Sequence, residues 1–207
     1  MNKDRLEAFS DGVFSIVMTL LVFNIHVPTL VEPFTNADLW VALGDVWPTI
    51  AIFVLSFVVL SVLWINHHFL FESFAKSVDR RLNLLNLAYL MFIVFVPFSA
   101  TLWGEYGSHQ PAAMLYGINL LIIVIISSMM SRYIRNSESL LHDAITPRLM
   151  KQARFRSLIN IFFFSLGIIL SFIHPVLAGV FYLFPVIFNL IPGSLNLAEK
   201  IFRFHLD

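Results

Sequence analysis

The chain is expected to be an all-α integral membrane protein of six transmembrane helices, the first lining a central pore, with no soluble domain. Three observations predict the class. Of 207 residues, 58% are hydrophobic and only 13% are charged, against roughly 45–50% and about 25% in soluble domains. Charge-free stretches recur at 12–31, 46–71, 82–104, 106–131 and 157–198. All 13 Lys and Arg residues fall on one side of a six-span layout. A soluble fold of this size cannot hide so much apolar surface, and the mean hydropathy of +0.83 agrees. Asp plus Glu is also 13, so no basic excess exists to neutralise nucleic-acid phosphates. The absence of cysteine removes any disulfide framework or thiolate metal site.

A spanning helix needs about 20 apolar residues, which gives spans at 6–27, 46–71, 82–104 and 111–132. The stretch 157–198 would make a helix of roughly 63 Å, twice the hydrocarbon thickness, at about 1.5 Å per residue. It is predicted to turn at His174-Pro175, because proline disfavours helical geometry in the preceding residue and lacks a backbone donor. Spans five and six are then 157–174 and 176–192, the latter interrupted by Pro185. Residues 133–156 form a polar connector, in which Arg135, Glu138, His142 and Asp143 read as a surface-lying helix continuing from span four.

The basic residues set the orientation. Lys3 and Arg5 precede span one, and Lys76, Arg80 and Arg81 separate spans two and three. Arg132, Arg135, Arg148, Lys151, Arg154 and Arg156 separate spans four and five, and Lys200 and Arg203 follow span six. The opposite loops hold Glu32, Asp38, Asp45 and Glu105 without a single Lys or Arg. Both termini and the connector are therefore expected in the cytoplasm, with the protein in the cell (inner) membrane. Asp4, Glu7 and Asp11 occupy the positions of a signal peptide's basic and apolar regions, so no cleaved leader is expected.

Ionisable groups at membrane depth usually face a bundle interior or water. In span one, Asp11, Ser15, Thr19, Val22 and His26 recur at three- and four-residue steps, and a single helical face carries them. Val13, Phe14, Val17, Leu20 and Leu21 occupy the opposite face. The stripe reads as the lining of an aqueous path, against the alternative that Ser15 and Thr19 only bond back to helix carbonyls. Span two ends in Trp64, Asn66, His67 and His68, followed by Glu72. His68 and Glu72 are four apart and can meet, but two ligands are too few for zinc, and no metal site or cofactor is expected. The simpler reading is a hydrogen-bonded cluster of Arg5, Asp11, Trp64 and His67 with Asn83 or Asn86, which offsets the burial of Asp11.

These residues carry a resemblance. Arg5-x-x-x-Phe9-Ser10-Asp11, Trp64-x-x-His67-His68, Asn83-Leu84-Leu85-Asn86-Leu87, Phe95-Val96-Pro97-Phe98 and Tyr116-Gly117-x-Asn119 stand in this order. Together they resemble the signature of the transmembrane protein 175 family, the endolysosomal potassium channels and their bacterial relatives. The similarity runs over about residues 5–130, and the last two spans match by hydropathy alone. A single six-helix unit resembles the bacterial members, which implies a homotetramer with span one around the pore. The resemblance further implies that Ile16 and Phe23 form constrictions, with Leu20 as an intermediate contact. Hydroxyls at Thr19 and Ser15 would act on selectivity. Phe23 departs from the family's Leu or Ile. Arg5, Phe9, Ser10, Asp11, Trp64 and His67 would form the network that anchors the pore helices.

The expected function is thus passive transport of potassium, in preference to other monovalent cations, through the lipid bilayer. No Thr-Val-Gly-Tyr-Gly segment occurs, so stacked backbone carbonyls cannot supply selectivity. Two alternatives remain open at this point. A proton-coupled cation transporter would use Asp11 and the His67/His68 pair as a relay. An intramembrane enzyme would use His67, His68 and Glu72, but a nucleophile motif and a third ligand are missing.

Overall fold

The computed structural model describes residues 2–191. Span one is helix α1, Lys3–Leu20, which Asn2 caps by accepting the Asp4 backbone N–H. It tightens into a 3₁₀ turn at Leu21–Asn24 and leaves helical geometry at Ile25. His26 therefore stands off the helix, and the five-residue polar stripe is shorter than the periodicity predicted. His26 instead faces Glu105 at 3.8 Å.

Helix α2, Asn36–Phe69, starts ten residues before the predicted span. Asp38 and Asp45 interrupt the charge-free run, yet Thr35 and Asp38 form a reciprocal capping box that launches the helix here. At about 1.5 Å per residue α2 is roughly 51 Å long, more than the hydrocarbon layer requires. Trp40, exposed on its extra turns, and Trp47 just beyond them suit the membrane–water interface. A π-helical turn, Leu70–Phe74, ends it.

Span three is one apolar segment in two pieces, α3 (Arg80–Val94) and α4 (Val96–Glu105). The break at Phe95 precedes Pro97, which lacks an N–H for the ladder. Asn24 Nδ2 donates to the Pro97 carbonyl at 3.1 Å and ties the end of span one to the break. Asp79 caps α3 through the Leu82 N–H at 2.7 Å. Burial pushes the Asp79 carboxyl up, but the Tyr133 hydroxyl and the Leu82 N–H outweigh it and hold the group below the usual carboxylate range. The cap is thus fully formed at neutral pH and is lost only as pH falls through that lowered value.

Helix α5, Gln110–Arg135, is the centre of the bundle, with Tyr116, Leu120, Ile123, Met130 and Ile134 fully buried against the other helices. The connector departs from expectation. No helix continues beyond Asn136; residues 136–146 turn back and pair with the end of span two. Lys76 N donates to Leu140 O at 2.8 Å and His142 N to Phe74 O at 2.9 Å, and Lys76 Nζ meets Asp143 at 3.0 Å. Helix resumes only after Thr146, whose side chain caps α6, Pro147–Ser171. This start is ten residues earlier than predicted, because proline at the first turn suits a helix even though basic residues follow. The turn at His174 occurs as expected, and the ring accepts the Val176 N–H before α7, Pro175–Leu190. Among the described residues five segments are long and apolar enough to cross a membrane, and α7 is a shorter apolar sixth. Lys200, Arg203 and the last residue of the predicted sixth span lie outside the described residues.

One ring locks the second half of the bundle. Tyr182 on α7 lies between Gly117 on α5 and Gly167 on α6, and its hydroxyl donates to Ala113 O at 3.1 Å. A methyl group at either glycine would overlap the ring. Gly117→Ala should therefore destabilise the protein by about 2–4 kcal/mol, through overpacking and an unpaired buried hydroxyl. Helix propensity alone predicts a gain of about 1 kcal/mol. The unfolding midpoint of the purified protein decides the sign.

A candidate pore helix and the network that holds it

Helix α1 has two unlike faces. Leu6, Ser10, Phe14, Val17 and Leu21, at steps of four, four, three and four, are buried against α2 and α3. Ser15, Ile16, Thr19, Leu20 and Phe23 occupy the other face and are exposed. Ile16 is 60% exposed, Leu20 45% and Phe23 73%. Residue spacing placed Leu20 among the opposite, packed residues; the structure puts it on the open face, because that face is wider than a single stripe. Val17 and Leu21 are core residues.

The two hydroxyls on the open face are oriented by their own helix. Ser15 Oγ donates to Asp11 O and Thr19 Oγ1 to Ile16 O, each at 2.8 Å. Both protons are therefore engaged with the backbone, and the oxygen lone pairs face outward, where only an electron-poor partner such as a cation or a water proton can use them. The back-bonding alternative and the lining reading are compatible.

Behind the open face lies a buried polar chain. His67 Nε2 and Asn86 Oδ1 are 2.7 Å apart, Asn86 Nδ2 donates to Ser10 Oγ at 3.0 Å, and Ser10 Oγ donates to Leu6 O at 2.9 Å. The Ser10 proton is committed to Leu6, so Asn86 must present its amide to Ser10 and its oxygen to His67. His67 then carries its proton on Nε2. The imidazole stacks on Tyr89 and packs against Phe14 and Phe71. The chain joins α1, α2 and α3 at a depth where an unpaired polar group is costly.

Asp11 is not in this chain. Its Oδ1 accepts from Trp64 Nε1 at 2.8 Å, Trp64 stacks on His68, and His68 Nε2 meets Glu72 at 3.0 Å. Arg5, expected beside Asp11, is exposed, and its side chain makes no hydrogen bond or ion pair among the described residues. Phe9 is exposed as well, and Asn83 stays outside both groups. The expected single cluster is thus two. No direct hydrogen bond links Asp11 to either histidine among the described residues. No set of three or more His, Asp or Glu residues able to hold a metal occurs among them either.

The later motifs have equally local reasons. Tyr116 Oη pairs with Ser56 Oγ at 3.0 Å, Gly117 admits the Tyr182 ring, and Asn119 Nδ2 donates to Ser99 Oγ at 3.3 Å. Two contacts gave no sequence signal, the Asn24 bond to Pro97 O and the Tyr89 stack, since each joins residues distant in the chain.

The family model described as endosomal/lysosomal potassium channel TMEM175 matches residues 5–97, from α1 to the α3–α4 break. A potassium channel of Chryseobacterium sp. is 32% identical over 197 residues, covering 94% of this chain and 95% of the relative. The chain belongs to the TMEM175 family. A potassium channel of Streptomyces collinus is 45% identical over 120 residues, and the match spans only 56% of that relative's length. The endosomal/lysosomal proton channel TMEM175 of Gallus gallus is 36% identical over 112 residues, and the match spans 22% of it. The crystal structure of a lysosomal potassium-selective TMEM175 homologue from Chamaesiphon minutus superposes with a TM-score of 0.74 at 34% identity, covering 91% of this chain and 96% of that one. TMEM175 proteins are ion channels and not enzymes, and this member is a multi-pass membrane protein. The similarity is broader than the motifs implied: the near full-length match carries TMEM175 character into α6 and α7, where hydropathy was the only guide.

Proposed function

We propose that this protein is a potassium-preferring cation channel in which four copies set the open face of α1 around a central pore. The observation that carries the reading is the segregation on α1: its packed side is complete, whereas Ile16, Leu20 and Phe23 are large apolar side chains left without partners. Four copies of such a face around an axis make apolar rings that expel water and close the pathway without side-chain contact. Thr19 and Ser15 lie beside the rings with their lone pairs free, and they supply the oxygens that a partly dehydrated cation meets. The potassium channels among the relatives support the choice of ion.

The protein is further assigned to the bacterial cell (inner) membrane, with both termini and the 133–156 connector cytoplasmic, on the strength of the one-sided basic residues. Cysteines placed at Glu138 and Asn36 of this cysteine-free chain should label from opposite sides with an impermeant reagent; labelling of both from outside would overturn the topology.

Purified protein in planar bilayers provides the test of transport. Ohmic unitary currents whose reversal potential follows the potassium gradient more closely than the sodium gradient are expected. Saturable, gradient-coupled flux without unitary steps would replace the channel with a carrier.

A further inference from the structure

We infer that the cleft at the basic end of the bundle binds an anionic phospholipid of the adjoining leaflet, its phosphate on Arg156 and an acyl chain along α2 and α5. The cleft has a volume of roughly 320 Å³ and opens between the C-terminal parts of α2, α5 and α7 and the N-terminal half of α6. Its wall has two chemistries. Leu63, Leu70, Phe74 and Val124 make one side apolar, while Arg156, Gln152, Asn66 and Ser127 present polar groups. Arg156 is half-buried, and among the described residues neither a hydrogen bond nor an ion pair engages its side chain. No carboxylate lines the cleft among the described residues.

A guanidinium withdrawn from water without a counter-ion is costly, and an anion that arrives with the membrane offsets that cost. Arginine's planar fork of donors matches phosphate oxygens in particular. Free phosphate would satisfy the charge but leave the apolar wall facing water; an acyl chain covers it. Arg132, Lys151 and Arg154, exposed on the same helices α5 and α6 that wall the cleft, raise the local concentration of acidic lipid. The inference does not depend on the pore, and a non-conducting protein would still bind.

Native mass spectrometry of the intact oligomer with dioleoylphosphatidylglycerol or dioleoylphosphatidylcholine tests it. Phosphatidylglycerol should be retained preferentially, and Arg156→Gln should lose about tenfold in affinity while Arg156→Lys retains most of it. Ser127→Leu, which fills part of the cleft with every charge intact, should also weaken retention, and it keeps the test decisive if Arg156→Gln does not assemble. Arg154→Gln, outside the cleft, should change it less than about twofold. Equal retention of the two lipids, wild-type retention in Arg156→Gln, or displacement of the lipid by millimolar inorganic phosphate would each overturn the proposal.

Discussion

Ile16→Asn should raise unitary conductance severalfold and weaken the discrimination between potassium and sodium. A ring of four isoleucines offers a passing ion no oxygen, so the ion must shed water without replacement and the pore stays dry when it is narrow. An amide at the same position hydrates the ring and supplies ligands that do not distinguish cations by size. Ile16 makes no packing contribution comparable to Val17 or Leu21, so the variant should fold and assemble normally. Thr19→Val should act differently, lowering the preference for potassium while closure is preserved, because it removes the oriented oxygen and keeps the volume. Single-channel recording of both variants separates the roles. Unchanged conductance in Ile16→Asn would remove Ile16 from the constriction, and the reactivity of cysteines at Ile16, Thr19 and Phe23 against Val17 and Leu21 would then show which side faces the pore.

Asn86→Leu should destabilise the protein by about 1–3 kcal/mol and release α1 from α2 and α3. The substitution preserves volume, so cavity formation contributes little. Ser10 keeps its bond to Leu6 O and loses only a donor partner. His67 is left with a buried N–H facing a methyl group, and this unsatisfied donor dominates the cost. Comparable bonds inside membranes are often worth less, about 0.6 kcal/mol, where the loosened helices find other partners. Here the imidazole packs on the rings of Phe14, Phe71 and Tyr89, whose carbon atoms replace no acceptor. A lower melting temperature and loss of the oligomer on size-exclusion chromatography are expected; a melting temperature equal to that of the native protein would show that water or a shifted helix satisfies His67.

The pattern of apolar runs revealed the spans because lipid imposes one rule on every residue of a helix, and that rule needs no knowledge of neighbours. The turn at His174-Pro175 was legible from the length of the apolar run and the proline within it. Helix ends were less so. The capping box at Thr35 and Asp38 and the proline start at Pro147 extend α2 and α6 through polar residues, where local backbone chemistry outweighs hydropathy.

The sequence by itself determined that this is a helical membrane protein, where its apolar segments lie, and which residue types sit on α1. The tertiary structure alone decided which side of α1 is packed, that Leu20 belongs to the open side, and that Asp11 pairs with Trp64 while His67 pairs with Asn86. The physical reason is range. Hydropathy and helical period act within one segment, whereas hydrogen bonds across 19 to 76 residues of chain depend on the rotation of each helix about its axis, and helix packing sets that rotation.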